Sequence, residues 1–317
     1  MKTVGKVGKI VLPFLLTLGS ITLFFLLFKP QQAFSTLARV SLPWMGLSLL
    51  SSIISISIIR PWIWKYYFSR NKTNATFLQI FQVLSISSFY AIFLPARSGE
   101  PVSAYLFHRK TNASISSLLA FALYEKILHF FSSGLIFLGA FMMTRSSHGA
   151  WLETMRPVLG GNIRGTSIFW VVGLIMVSGL IIWRLLSKKL LKFIQSLREI
   201  FHDSPLLLTT TGLSLVYLTF GIFGNMAVIF SFPQEVLLPG FNVFPIVAMM
   251  VCFSIFSSVI SIFPTGLGPG EFGYAAFLVL IGFSPEFAAL IVLTNTAVSY
   301  LIAIVAFLLG MFLKIFQ

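Results

Sequence analysis

Charge is scarce in this chain. Asp, Glu, Lys and Arg make up 9% of its 317 residues, where a soluble domain carries about 25%. So little charge cannot cover a water-facing surface, which excludes an ordinary soluble globular protein. Cysteine is nearly missing as well. Cys252 stands alone inside an apolar run, so no internal disulfide can form. Aspartate occurs once, at Asp203, and His108, His129, His148 and His202 lie on or near separate spans and loops. Glu125 and His129, at i and i+4, are two ligands where a structural metal site needs about four, which argues against a metal centre. The sequence contains no phosphate-binding loop, no dinucleotide fingerprint and no G-x-S-x-G elbow. ATP-driven transport by this chain alone is thereby excluded. No catalytic constellation emerges, and the chain is expected to be neither an enzyme nor a cofactor binder.

Apolar runs are what the sequence has in abundance. Hydrophobic residues make up 57% of it, with a mean hydropathy of +0.95. Runs close to the roughly 17–25 residues needed to cross a bilayer are Ile10–Phe28, Val40–Ile59, Phe77–Leu94, Ser117–Met143, Ile168–Leu186, Pro205–Phe232, Val243–Phe263 and Pro285–Gly310. Continuous runs of this kind argue against the alternating strands of a β-barrel. The expected fold is all-α: a polytopic integral membrane bundle, one transmembrane domain over residues 1–317. Lys2, Lys6 and Lys9 before the first run imitate a signal peptide. That run exceeds the usual h-region of about 7–15 residues and has no convincing cleavage site, so an uncleaved first span is expected.

Two places interrupt the simple pattern. Phe77–Leu94 runs into Pro95-Ala96-Arg97-Ser98-Gly99-Glu100-Pro101, and Val243–Phe263 runs into Pro264-Thr265-Gly266-Leu267-Gly268-Pro269-Gly270-Glu271. Each has a helix-ending proline, permissive glycines and an acidic residue opening the next helical piece. They read either as kinks in long spans or as re-entrant hairpins near 95–107 and 264–282. Charge decides between them. With a cytoplasmic N-terminus and two re-entrant hairpins, fifteen basic residues fall in cytoplasmic segments, Arg60–Lys72 among them, and five (Lys29, Arg39, Arg145, Arg156, Arg164) fall outside. Full crossing by the first segment would leave ten on each side, so the positive-inside rule favours re-entry, with both termini cytoplasmic in an inner (plasma) membrane. The net charge of +14 is used in this way and not for nucleic acid. Six full spans and two opposed hairpins follow. The matching Gly99-Glu100 and Gly270-Glu271 pairs, each preceded by a Ser-Ser pair, suggest an inverted repeat of the kind that builds central transporter sites.

Ionisable groups at bilayer depth need a partner or a function, since each costs about 2.5–3.5 kcal/mol on insertion scales. Arg97, Glu100, Glu125, Lys126 and Glu271 are these groups. Arg97 either clamps a phosphate with its planar fork or pairs with Glu100 to fix the turn. Glu100 and Glu271 open half-helices, where the helix dipole alone does not offset burial. Glu125, His129, Ser132 and Ser133 share a helix face and form a polar stripe expected to face the bundle interior.

Pro95–Leu106 (PARSGEPVSAYL), Tyr124-Glu125-Lys126, Pro264–Ala276 (PTGLGPGEFGYAA) and Thr294–Gly310 resemble the lysylphosphatidylglycerol synthase transmembrane-region family, also described as flippase-like. The first family motif maps onto Pro95, Arg97, Gly99 and Glu100, the acidic-basic pair onto Glu125 and Lys126, and the second motif onto Pro264, Gly266, Gly268 and Glu271. Gly270 stands where the family often has a basic residue, and Asn295 where it often has arginine. No soluble aminoacyl-transferase domain is recognised in the 317 residues. The resemblance implies handling or translocation of an anionic or lipid-linked headgroup, not lysyl transfer. Arg97 would bind phosphate, and Glu100, Glu125 and Glu271 would line a polar central cavity. Membrane lipids are the expected partners. The alternative is a non-transporting partner of a lipid-modifying or glycosyl-transferring enzyme.

Overall fold

The structure is a computed structural model that describes residues 19, 22–93, 99–144, 194–233, 243–258, 269–280 and 283–315. Among these residues the regular structure is all helix, with no strand. A 3-10 helix, Pro30–Arg39, precedes α1 (Leu42–Arg70), α2 (Phe77–Phe93), α3 (Gly99–Thr111), α4 (Ile115–Thr144), α5 (Ser204–Ser231), α6 (Val243–Ser258), α7 (Pro269–Leu280) and α8 (Pro285–Ile315). Leu42–Arg70, Ile115–Ala140, Ser204–Ser231 and Pro285–Phe312 are each long and apolar enough to cross a membrane. The four helices flanking the two Pro/Gly segments are shorter, 17 and 13 residues around the first and 16 and 12 around the second. The expected runs Ile10–Phe28 and Ile168–Leu186 fall largely or wholly outside the described residues.

One expected boundary moves. The sequence suggested that the second span ends at Ile59 and that Arg60-Pro61 begins a loop, but α1 continues to Arg70. The reason is a π turn at Ile54–Ile59, in which the Arg60 N–H reaches back five residues to the Ser55 carbonyl. Pro61 has no N–H to give, and its ring would crowd the carbonyl four residues back in a regular helix. The wider π turn relieves that conflict. Arg60 is therefore a helical residue facing other helices, not a loop cation.

Small and hydroxyl side chains let α1 lie close along α5. Ser48, Ser51 and Ser55 are buried on the contact face. Ser51 Oγ donates to the Phe220 carbonyl at 2.7 Å and Ser55 Oγ to the Tyr217 carbonyl at 3.1 Å, a common way for membrane helices to approach. Asp203 caps α5 by accepting the Leu206 N–H at 3.1 Å, with Pro205 in the first turn. Two apolar cores result. One joins α5, α6, α7 and α8 through residues such as Val228, Met249, Leu278 and Ile291. The other is aromatic and joins α1, α3 and α4 through Trp64, Phe68, Phe107 and Phe121. Large apolar side chains on the outer faces, such as Leu42, Leu208 and Phe131, stay exposed, as hydrocarbon contact requires.

The helices α2 and α3 fold back on each other. Lys110 Nζ, near the end of α3, donates to Gln82 Oε1, near the start of α2, at 3.0 Å. At the opposite end of the pair, a Cβ on Gly99 would sit 2.7 Å from the Ser87 carbonyl oxygen. The chain thus returns at Thr111 to the end of the bundle from which Phe77 set out. That end also holds the Arg70–Asp203 pair and the bond from Tyr67 to Ser117.

Candidate functional site

Arg60 and Trp64 are four residues apart on α1, so both side chains face the same neighbour. That neighbour is Glu125 of α4. Arg60 Nε donates to Glu125 Oε1 at 2.8 Å, Arg60 Nη2 to Oε2 at 3.3 Å, and Trp64 Nε1 to Oε2 at 3.1 Å. Phe107 stacks on the Trp64 indole with centroids 4.8 Å apart, and Phe121 meets it edge-on. The Glu125 side chain is 1% exposed and that of Arg60 19%. The carboxylate is thus enclosed while the guanidinium keeps an open side.

That side faces a cavity of about 300 Å³ between α1, α2, α5, α7 and α8. Its polar lining includes Arg60, Tyr217, Glu271, Asn295, Thr296 and Tyr300. Ser88 of α2 belongs to the same wall. Glu271 is half-buried in the first turn of α7, two residues after Pro269. A polar chamber amid helices of this hydropathy can hold a charged or hydroxylated group that the surrounding hydrocarbon would reject. A second depression, an apolar groove of about 490 Å³, opens between α1, α2 and α8 and is lined by residues such as Ile53, Phe81, Leu301 and Val305.

The acidic residues singled out from the sequence have different surroundings. Glu271 lines the cavity. Glu125 stands behind it and holds Arg60. Glu100 pairs with Lys126 Nζ at 2.8 Å, a bond that ties the first turn of α3 to α4. Of the two alternatives for Arg97, neither is addressed, because Pro95, Arg97, Pro264, Gly266 and Gly268 lie outside the described residues. Gly99 opens α3 and Gly270 lies in the first turn of α7. The stripe on α4 does face inward, with Glu125, Ser132 and Ser133 buried and His129 lying parallel to the Tyr217 ring, centroids 4.7 Å apart. Among the described residues no group of three His, Cys, Asp or Glu side chains could hold a metal ion.

Sequence reasoning missed Arg60, Trp64 and Tyr217. Arg60 looked like a loop residue because an apolar run stopped at it and a proline followed. The available signal was the i, i+4 pairing of Arg60 with Trp64 inside a stretch that stays aromatic as far as Phe68. Tyr217 carried no such signal, since its importance comes only from where α5 crosses α1 and α4.

A family model described as the lysylphosphatidylglycerol synthase TM region matches residues 10–306. The chain belongs to that family. No curated protein and no solved structure matches it. Membership and the four long apolar helices agree on a multi-pass membrane protein. The family description names the membrane region of a lysylphosphatidylglycerol synthase. Asn295 of α8 and Arg60 of α1 line the same cavity.

Proposed function

We propose that this chain is a flippase-like protein of the inner membrane that moves, or helps to move, an anionic or lipid-linked headgroup from one leaflet to the other. The observation that carries the reading is the cavity itself. A chamber of about 300 Å³ with a guanidinium, a carboxylate, two phenols and an amide on its walls lies inside a bundle of membrane-crossing helices. Burying such groups is unfavourable unless something polar uses them. The apolar groove on the same three helices, α1, α2 and α8, suits the acyl chain of a lipid whose headgroup enters the chamber.

The hairpin formed by α2 and α3 and the pair α6–α7 are read as two re-entrant elements entering from opposite faces. Their lengths support this, because 12–17 residues at 1.5 Å each fall short of the roughly 30 Å hydrocarbon thickness. The end of the bundle that carries Lys65, Arg70, Arg109 and Lys110 is assigned to the cytoplasm by the positive-inside rule. Arg97 and Glu271 would meet the headgroup at the tips, and both chain termini would be cytoplasmic.

Reconstitution into vesicles tests the reading. Purified protein in phosphatidylglycerol-containing vesicles is expected to accelerate transfer of a fluorescent phosphatidylglycerol between leaflets, measured by dithionite quenching. A second reading, partnership with a lipid-modifying or glycosyl-transferring enzyme, is favoured by the family description, which attaches such a region to a synthase. Vesicles in which the protein binds lipid but leaves transfer at the protein-free rate would favour that partnership.

A further inference from the structure

We propose that Arg60 takes the phosphate of the headgroup in the cavity, and that Glu125 and Trp64 are positioning residues that present it. The inference rests on the headgroup reading above and names a binding residue that the sequence motifs do not contain.

A guanidinium has two edges that can each make paired hydrogen bonds. Glu125 occupies the edge formed by Nε and Nη2. Among the described residues no hydrogen-bond partner takes Nη1, so the end-on edge remains for a second oxyanion. A phosphate diester offers two oxygens at the spacing this edge requires.

The asymmetry of burial points the same way. The side-chain exposures are 1% for Glu125 and 19% for Arg60, so the carboxylate is enclosed while part of the arginine stays accessible. The exposed side belongs to the cavity, where Tyr217 and Thr296 add hydroxyls and Asn295 an amide. The carboxylate, by contrast, receives three hydrogen bonds, two from Arg60 and one from Trp64. It therefore fixes the orientation of the guanidinium and prevents it from folding back onto the helix.

Local backbone geometry supplies a third argument. The π turn at Ile54–Ile59 ends immediately before Arg60. Each residue of a regular helix turns about 100°, so removing the extra residue of the π turn would carry Arg60 away from both Glu125 and the cavity. The strain-relieving turn that accommodates Pro61 thus also aims the cation.

The test uses the full-length protein in detergent with two probes, dihexanoyl-phosphatidylglycerol and inorganic phosphate, and reads affinity by thermophoresis and folding by thermal unfolding. Wild-type protein is expected to bind the short-chain lipid and to bind inorganic phosphate at least tenfold more weakly. Arg60→Lys keeps a cation opposite Glu125 and hence the fold, but loses the planar fork, so lipid affinity should fall about tenfold or more. The exchange Arg60→Glu with Glu125→Arg retains an ion pair and places a carboxylate in the cavity. It should unfold near the wild-type temperature with lipid binding abolished. Unchanged lipid affinity in Arg60→Lys, or wild-type affinity in a folded exchange variant, overturns the role of Arg60 and leaves the headgroup reading intact. Absence of lipid binding by the wild type overturns both. Equal affinity for inorganic phosphate assigns the site to free phosphate and removes the lipid source.

Discussion

Gly99 and Ser87 approach so closely that a Cβ on Gly99 would lie 2.7 Å from the Ser87 carbonyl oxygen and 2.9 Å from the Ala91 Cβ. The obstacle is backbone, which cannot swing aside as a flexible side chain can. The glycine of the first Gly-Glu pair is therefore required by the fold-back of α3 on α2, not by an unusual dihedral.

Gly99→Ala is expected to destabilise the protein by about 1–3 kcal/mol, the usual range for overpacking. Gly134→Ala is the control, because nothing lies within 4 Å of a Cβ there and the residue is inside α4. That change should be neutral or stabilising by up to about 1 kcal/mol. Thermal unfolding in detergent compares the two, and equal effects would sink the close-approach argument.

At the basic end of the bundle, Arg70 donates from Nε to Asp203 Oδ2 at 3.0 Å and from Nη2 to Oδ1 at 2.9 Å. The Arg70 guanidinium holds the Asp203 carboxyl below its ordinary range, with help from the Leu206 N–H that it caps. A carboxyl lowered in the folded state contributes stability above its unfolded value of about 3.9, and this is lost as pH falls through the folded value. Asp203→Asn should therefore lower stability slightly at pH 7, where the exposed Arg70 pair is lost but the cap is kept, and flatten the loss below about pH 4, where wild type and variant converge. Unfolding temperatures at pH 3–7 check this, and an unchanged acid limb in Asp203→Asn would refute it.

The spans were legible from composition because hydrocarbon imposes one requirement, a long apolar helix, on each of them. Leu42, Ile115, Ser204 and Pro285 open the long helices at or within two residues of where the apolar runs begin. The two Pro/Gly breaks were legible for a similar reason, since proline and glycine punctuate helices wherever they occur. The Arg60–Glu125 pair was not legible. It depends on a π turn, and a wider turn leaves no periodic signature in six residues of Ile and Ser. Partner choice was equally hidden: Glu100 has Arg97 and Glu125 has Lys126 nearby in sequence, yet the crossing of α1, α3 and α4 gives Lys126 to Glu100 and Arg60 to Glu125.

Single cysteines at Thr111 and Lys188, introduced with Cys252→Ser, are expected to react with a membrane-impermeant maleimide from the cytoplasmic side only. For Thr111 the expectation rests on Lys110 meeting Gln82, which brings the end of α3 back to the start of α2, and for Lys188 on the positive-inside rule. Labelling of Thr111 from the external side would mean that α2 and α3 together cross the bilayer once, and would overturn the re-entrant reading of this hairpin.

Glu271 and Arg60 share the walls of one cavity. Glu100 has Lys126 as its direct partner. Replacing either glutamate by glutamine removes a carboxyl group and leaves the side-chain volume nearly unchanged. Glu271→Gln acts at the cavity wall and is expected to cut lipid transfer in vesicles more deeply than Glu100→Gln. The double variant is expected to be non-additive by about 0.5 kcal/mol or more, as residues coupled through one network are, whereas independent sites add. Lys126→Gln separates direct from indirect effects: if Glu100 matters only by holding Lys126, that change should reproduce the loss seen in Glu100→Gln. Strictly additive losses from the two glutamates would show that the two hairpins do not serve one site.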